Sequence, residues 1–93
     1  MKRIILNIGD IVVSEKPAAI ETVLGSCVSV CLWDGELGVG GMNHFMLPNV
    51  MDGIKNSLYC GSESIENLVS GFIKAGIDVD KLKAKIFGGG KVI

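Results

Sequence analysis

The chain carries one histidine, His44, and three cysteines, Cys27, Cys31 and Cys60. Imidazole that takes a thiol proton leaves a thiolate, a strong nucleophile toward carbonyl carbon. The turn between the two residues decides whether they can meet. If residues Asp34 to Leu37 form a turn with Trp33 opposite Gly38, then Cys27 falls opposite His44 on an antiparallel neighbour. A tighter Asp34-Gly35 turn that pairs Trp33 with Glu36 makes the two diagonal neighbours on one face, with Cβ atoms within about 7–8 Å. Only an odd loop length puts them on opposite faces. Gly25-Ser26 precedes the cysteine, and a glycine-kinked backbone there leaves amide N–H groups of Gly25, Ser26 and Cys27 free to hold a tetrahedral oxyanion. Together these residues describe acyl transfer. Taken singly they have plainer readings, since free cysteines are commonly buried small hydrophobes and a lone histidine is commonly a packing or surface residue.

Other chemistry fits less well. Cys31 lies four positions along the same strand as Cys27, about 13 Å away at strand rise, so the two cannot share a metal ion. That argues against a zinc site built from Cys27, Cys31, His44 and Cys60, although the ligand types suit. Gly88-Gly89-Gly90-Lys91 has glycines and a lysine but lacks the G-x-x-x-x-G-K-[ST] spacing, and no helix pattern follows it.

The positioning elements read as one domain over residues 1–93. Ile4, Leu6 and Ile8 alternate as a strand that ends at Gly9-Asp10 and resumes over Ile11 to Val13 after a turn or bulge. Ile20 to Trp33 reads as two strand segments with a kink at Gly25-Ser26, and Gly38 to Met46 as a returning strand closed by Leu47-Pro48. Asn49 to Gly61 reads as an irregular loop. Ile65, Leu68, Val69, Phe72 and Ile73 then form the apolar stripe of an amphipathic helix, capped by Ser62 or Ser64 and stopped at Gly76. Gly71 within it implies close packing, because glycine there costs about 1 kcal/mol against alanine. Leu82, Ala84 and Ile86 alternate with Lys83 and Lys85 as a last strand. Strands on both sides of a helix give an α/β or α+β layered fold, with a mixed and largely antiparallel sheet.

Composition narrows the function classes. Nine Lys and Arg against ten Asp and Glu leave a net charge of −1, which excludes a polybasic nucleic-acid or membrane surface. Aromatic residues make up 5%, too few for base-stacking platforms. No uncharged stretch reaches the roughly 18 apolar residues of a membrane span, and the apolar run after Met-Lys-Arg is too short for a signal peptide. An odd cysteine count suits free thiols in a reducing compartment, so the expected location is cytoplasmic. Hydrophobic residues are 48% of the chain, a high fraction for so small a domain and one that implies a sheet buried on both faces or a missing covering partner.

Two blocks carry a closer likeness. Leu24-Gly25-Ser26-Cys27-Val28-Ser29-Val30-Cys31-Leu32 and Gly40-Gly41-Met42-Asn43-His44-Phe45-Met46-Leu47-Pro48, with the Ser62 to Gly76 helix and Lys85-Ile86-Phe87-Gly88-Gly89, closely resemble the CheD family of chemoreceptor glutamine deamidases. The resemblance implies hydrolysis of glutamine side-chain amides in methyl-accepting chemotaxis receptors, with Cys27 as nucleophile, His44 as general base and acid, and no metal or organic cofactor. It implies a Thr or Ser that orients the imidazole from the strand before the nucleophile; Thr22 fits, with Glu21 the polar neighbour. A CheC-like phosphatase is the further partner implied. Family members continue with more strands past the glycine exit, so the resemblance also implies that the chain is the catalytic N-terminal part of a larger fold. The contrasting readings are a non-catalytic module that binds chemoreceptors or a CheC-like phosphatase, and a different cysteine hydrolase on the same scaffold.

Overall fold

β-branched and alternating side chains carry six segments among the described residues into strands. The computed structural model describes residues 2–46 and 61–88. In chain order these form β1 (Lys2–Leu6), β2 (Ile11–Ser14), β3 (Ala18–Thr22), β4 (Val28–Asp34), β5 (Val39–Asn43), α1 (Gly61–Lys74), a 3-10 turn (Val79–Lys81) and β6 (Lys83–Gly88). The expected Leu47-Pro48 closure, the loop from Asn49 as far as Cys60, and Gly89-Gly90-Lys91 lie outside the described residues. Among the described residues no helix is long and apolar enough to cross a membrane.

β2, β5, β4 and β6 hydrogen-bond in that order as an antiparallel sheet, while β1 and β3 pair in parallel as a separate ribbon. β2 therefore does not resume β1 in the same sheet. Between them Asp10 N donates to the Asn7 carbonyl, Asp10 Oδ2 accepts from Asn7 N, and Gly9 takes φ 87°, so the turn hands the chain from ribbon to sheet. α1 covers one face of the sheet, over β2 and β5. The ribbon crosses the other, where Ile20, Thr22 and Leu24 face Ser29, Met42 and Phe87. The result is an α+β sandwich of helix, four-stranded sheet and two-stranded ribbon.

Leu68 and Phe72 on α1 are fully buried and join Val28, Val30, Leu32, Val39, Phe45 and Ile77 in the core. The buried line of the helix runs through Gly61, Ser64, Leu68 and Phe72. The expected stripe is only half right, since Ile65 and Ile73 are 37% and 57% exposed. Small residues set this rotation. A Cβ on Gly71 would stand 2.8 Å from Val13 Cγ2, and one on Gly41 would stand 2.9 Å from Phe72 Cε2, so the helix seats where both glycines permit contact. Ser62 and Ser64 lie within the first helical turn rather than before it, so neither is the cap. The C-terminal stop is a Schellman motif: Gly76, at φ 80°, donates to the Ile73 carbonyl and Ile77 to that of Phe72, and Ile77 packs into the core beside Phe72.

β6 departs from its pattern, because all six of its residues are exposed. α1 lies over the β2 and β5 side of the sheet, so at the β6 edge Ile86 stays 69% exposed.

Candidate functional site

The β4–β5 hairpin sets which side chains face one another. Asp34 Oδ1 accepts from Glu36 N at 2.8 Å and Leu37 N at 3.2 Å, and the Asp34 carbonyl accepts from Gly38 N at 3.0 Å. That side chain stabilises a four-residue loop closed by Gly38 at φ 69°. Trp33 accordingly pairs with Gly40 and Asp34 with Val39, so the register is slipped by two residues from the expected Trp33–Gly38 pairing. An even slip preserves the face. Cys27 and His44 remain on one side of the sheet, as diagonal neighbours, and the residue opposite His44 in this register is Ser29.

Asn43, to which no role attaches in the sequence reading, shapes the strand at this point. It is fully buried, and its Oδ1 accepts from Val30 N at 2.7 Å, where a ladder carbonyl would ordinarily accept. β5 thus parts from β4 at Asn43 and rejoins it at Val28 and Phe45 through two bonds of 2.9 Å. An asparagine inside an otherwise apolar strand segment is the signal that could have marked it.

His44 follows, between Asn43 and the Val28–Phe45 bridge. Its carbonyl accepts from Gly9 N at 2.8 Å and its own N–H donates to the Asp10 carbonyl at 3.2 Å, so the β1–β2 turn fixes its backbone. Its ring is buried, with Nδ1 2.8 Å from Thr22 Oγ1, and Thr22 Oγ1 is also 2.9 Å from the Leu6 carbonyl. These two contacts define a tautomer. A carbonyl can only accept, so the single hydroxyl proton goes to Leu6 and Oγ1 must accept from Nδ1–H. In the neutral ring, Nε2 is then the nitrogen without a proton. Glu21 points elsewhere, to an ion pair with Arg3 on the exposed side of the ribbon. Heteronuclear NMR of the imidazole nitrogens is expected to report the Nδ1–H form in the wild type. Thr22→Val, which keeps the shape and removes the acceptor, should give a mixture of tautomers, and an unchanged spectrum would contradict this assignment.

Cys27 is a half-buried free thiol immediately before β4. Gly88 packs behind it: a Cβ there would overlap the Cys27 carbonyl oxygen, and Gly88 takes φ 89°. Gly25 and Ser26 form an exposed bend. Among the described residues no backbone carbonyl accepts from the N–H of Gly25, Ser26 or Cys27. The bend does not depend on a missing side chain, because Gly25 has ordinary φ and open space where a Cβ would go. Among the described residues no hydrogen bond joins the Cys27 sulfur to His44, in keeping with their diagonal placement. Burial pushes the Cys31 thiol up, against smaller lowering effects of the Ser29 hydroxyl and the Lys85 ammonium. Cys60 lies outside the described residues.

The arrangement offers a thiol, a base with a free nitrogen on the same face, and a turn whose amides meet no backbone acceptor among the described residues. No family model matches the chain. It is 45% identical, over 95% of its length, to a Burkholderia thailandensis protein named probable chemoreceptor glutamine deamidase CheD 2, of which it covers 47%. It is 44% identical over 98% of its length to the probable chemoreceptor glutamine deamidase CheD 1 of Anaeromyxobacter dehalogenans, covering 53% of that protein. A Caulobacter protein named probable chemoreceptor glutamine deamidase CheD is 45% identical over 90% of the chain, which covers 46% of it. The chain spans about half the length of the curated relatives it matches.

Proposed function

The chain belongs to the CheD family, and from that membership we propose that it deamidates glutamine side chains of chemoreceptors by a Cys–His thioester route. The observation that carries the reading is the Thr22–His44 contact, which commits Nδ1–H and leaves Nε2 as a proton acceptor on the face of the sheet that bears Cys27. His44 Nε2 takes the Cys27 proton. The thiolate attacks the carboxamide carbon, and the N–H groups of Ser26 and Cys27 hold the oxyanion. His44 returns its proton to the departing nitrogen, releasing ammonia and leaving a thioester. Water then hydrolyses the thioester with His44 as base, giving glutamate and free Cys27. Apo geometry in such sites is often looser than the working complex, and substrate binding is what draws thiol and imidazole together. Thr22 acts on His44 and not on substrate, so it is a positioning residue. The chemistry needs a reduced thiol, in line with a cytoplasmic setting, and a CheC-like phosphatase is the partner we assign to the family surface.

Mass spectrometry of a glutamine-containing receptor cytoplasmic fragment tests the reading directly. Incubation with the protein should convert selected glutamines to glutamate, and Cys27→Ala should leave them intact. Absent conversion, or equal conversion by both proteins, would remove the enzymatic reading and favour a module that binds receptors without turnover.

A further inference from the structure

One buried polar group near the site has no role in the scheme above. Ser29 is 1% exposed, and among the described residues its Oγ meets no nitrogen or oxygen partner, only a weak hydrogen bond with the Cys31 thiol along the strand. Ser29 lies at the base of a cavity of about 350 Å³ between sheet and ribbon, with Thr22, Leu24, Met42 and Phe87 among its walls. It stands two residues from Cys27 on the same face and opposite His44 in the β4–β5 register. Opposed side chains of such a pair have Cβ atoms about 4.5–5.5 Å apart, a separation that one water can bridge. A water site needs about 10–15 Å³ and two or more polar partners; the cavity at Ser29 has the room, and it borders Thr22, which holds the His44 ring.

Resting on the thioester reading, we propose that Ser29 positions the water that hydrolyses the acyl-enzyme. The Ser29 hydroxyl and His44 Nε2 hold the water from two sides. A bond forms between water oxygen and thioester carbon while one water proton passes to Nε2. Collapse of the tetrahedral intermediate breaks the C–S bond, and the sulfur leaves with its electron pair and takes that proton back from the imidazolium. The products are a glutamate side chain and the Cys27 thiol. Thr22 is not available for this task, because its proton is committed to Leu6.

The role predicts a defect in one half of the reaction. With the full chain and a glutamine-containing receptor fragment, Ser29→Ala should release the first equivalent of ammonia at the wild-type rate and form glutamate about tenfold more slowly. Acid-quenched samples should then contain a covalent conjugate of enzyme and receptor fragment, lighter than their sum by one ammonia. Hydroxylamine, a nucleophile that needs no bound water, should cleave it to the glutamyl hydroxamate and restore turnover, and Ser29→Thr should behave as wild type. A purely structural hydroxyl gives the opposite pattern: removing a buried, weakly paired group would raise the melting temperature and leave both half-reactions unchanged, which overturns the proposal. A matching fall in ammonia burst and glutamate formation overturns it as well. If the wild type releases no ammonia and forms no conjugate, the thioester reading fails and the role of Ser29 fails with it.

Discussion

His44→Ala is expected to lower the deamidation rate by about 10²–10⁴-fold, the range associated with loss of a positioned general acid–base group. The same substitution should slow alkylation of Cys27 at neutral pH, because the thiol loses its proton acceptor. Cys31 serves as an internal control within the same chain. Burial holds its thiol above the ordinary value, so at neutral pH it stays protonated and labels slowly in both proteins. Peptide mapping after a short pulse of iodoacetamide separates the two sites. Rapid labelling of Cys27 that disappears in His44→Ala supports the coupled pair. Equal labelling of Cys27 in both proteins would show that the imidazole does not activate it, and the non-catalytic module would then be the better account. The variant should remain folded, since the backbone of residue 44 is held by Gly9 and Asp10 through main-chain bonds that survive truncation of the ring.

The largest expected effect on stability is at Phe72. Its side chain is fully buried, lies against Gly41 where no larger residue would fit, and meets Ile77 at the helix stop. Phe72→Ala removes a ring from a core of packed strand and helix side chains, held on one side by the close approach of Gly41 and on another by the capped helix end. A loss of about 3–5 kcal/mol is expected. Against the roughly 5–15 kcal/mol typical of whole domains, such a loss leaves a large unfolded fraction. Urea denaturation followed by circular dichroism measures it through the shift in midpoint at unchanged slope. A loss below about 1 kcal/mol would mean that α1 is not the principal cover of this face.

These two residues also mark what was legible in the sequence. Phe72 and Leu68 stand out from helical periodicity because burial of a helix follows its spacing, whereas Ile65 and Ile73 share that spacing and remain partly exposed. Their fate depends on where Gly71 and Gly41 let the helix sit, a three-dimensional fit that periodicity does not encode. The shared face of Cys27 and His44 follows from parity alone, so it survives a register that moved by two residues. The shift itself came from Asp34, whose side chain gathers the loop amides and lengthens the turn beyond the Asp34-Gly35 signal. Thr22 is reachable only through the family resemblance. Its link to Leu6 arises from parallel pairing of β1 with β3, and nothing in local pattern specifies that pairing. Asn43 is similar, since its contact with Val30 depends on two strands parting by less than a residue.

The Thr22 hydroxyl ties three parts of the molecule to one proton. Leu6 supplies the carbonyl, β3 the hydroxyl and the sheet the imidazole, so the basic nitrogen of His44 is chosen by a ribbon that contributes no reacting atom. Two-stranded ribbons are marginal in isolation, so this one depends for support on the sheet it lies against. Were the ribbon to lift away, Nδ1 would lose its acceptor and the ring would be free to flip. On the proposed thioester route, the fraction of molecules competent for proton transfer would then be the docked fraction of β1 and β3. Amide-exchange protection in the ribbon and the rate at Cys27 become two readings of one equilibrium.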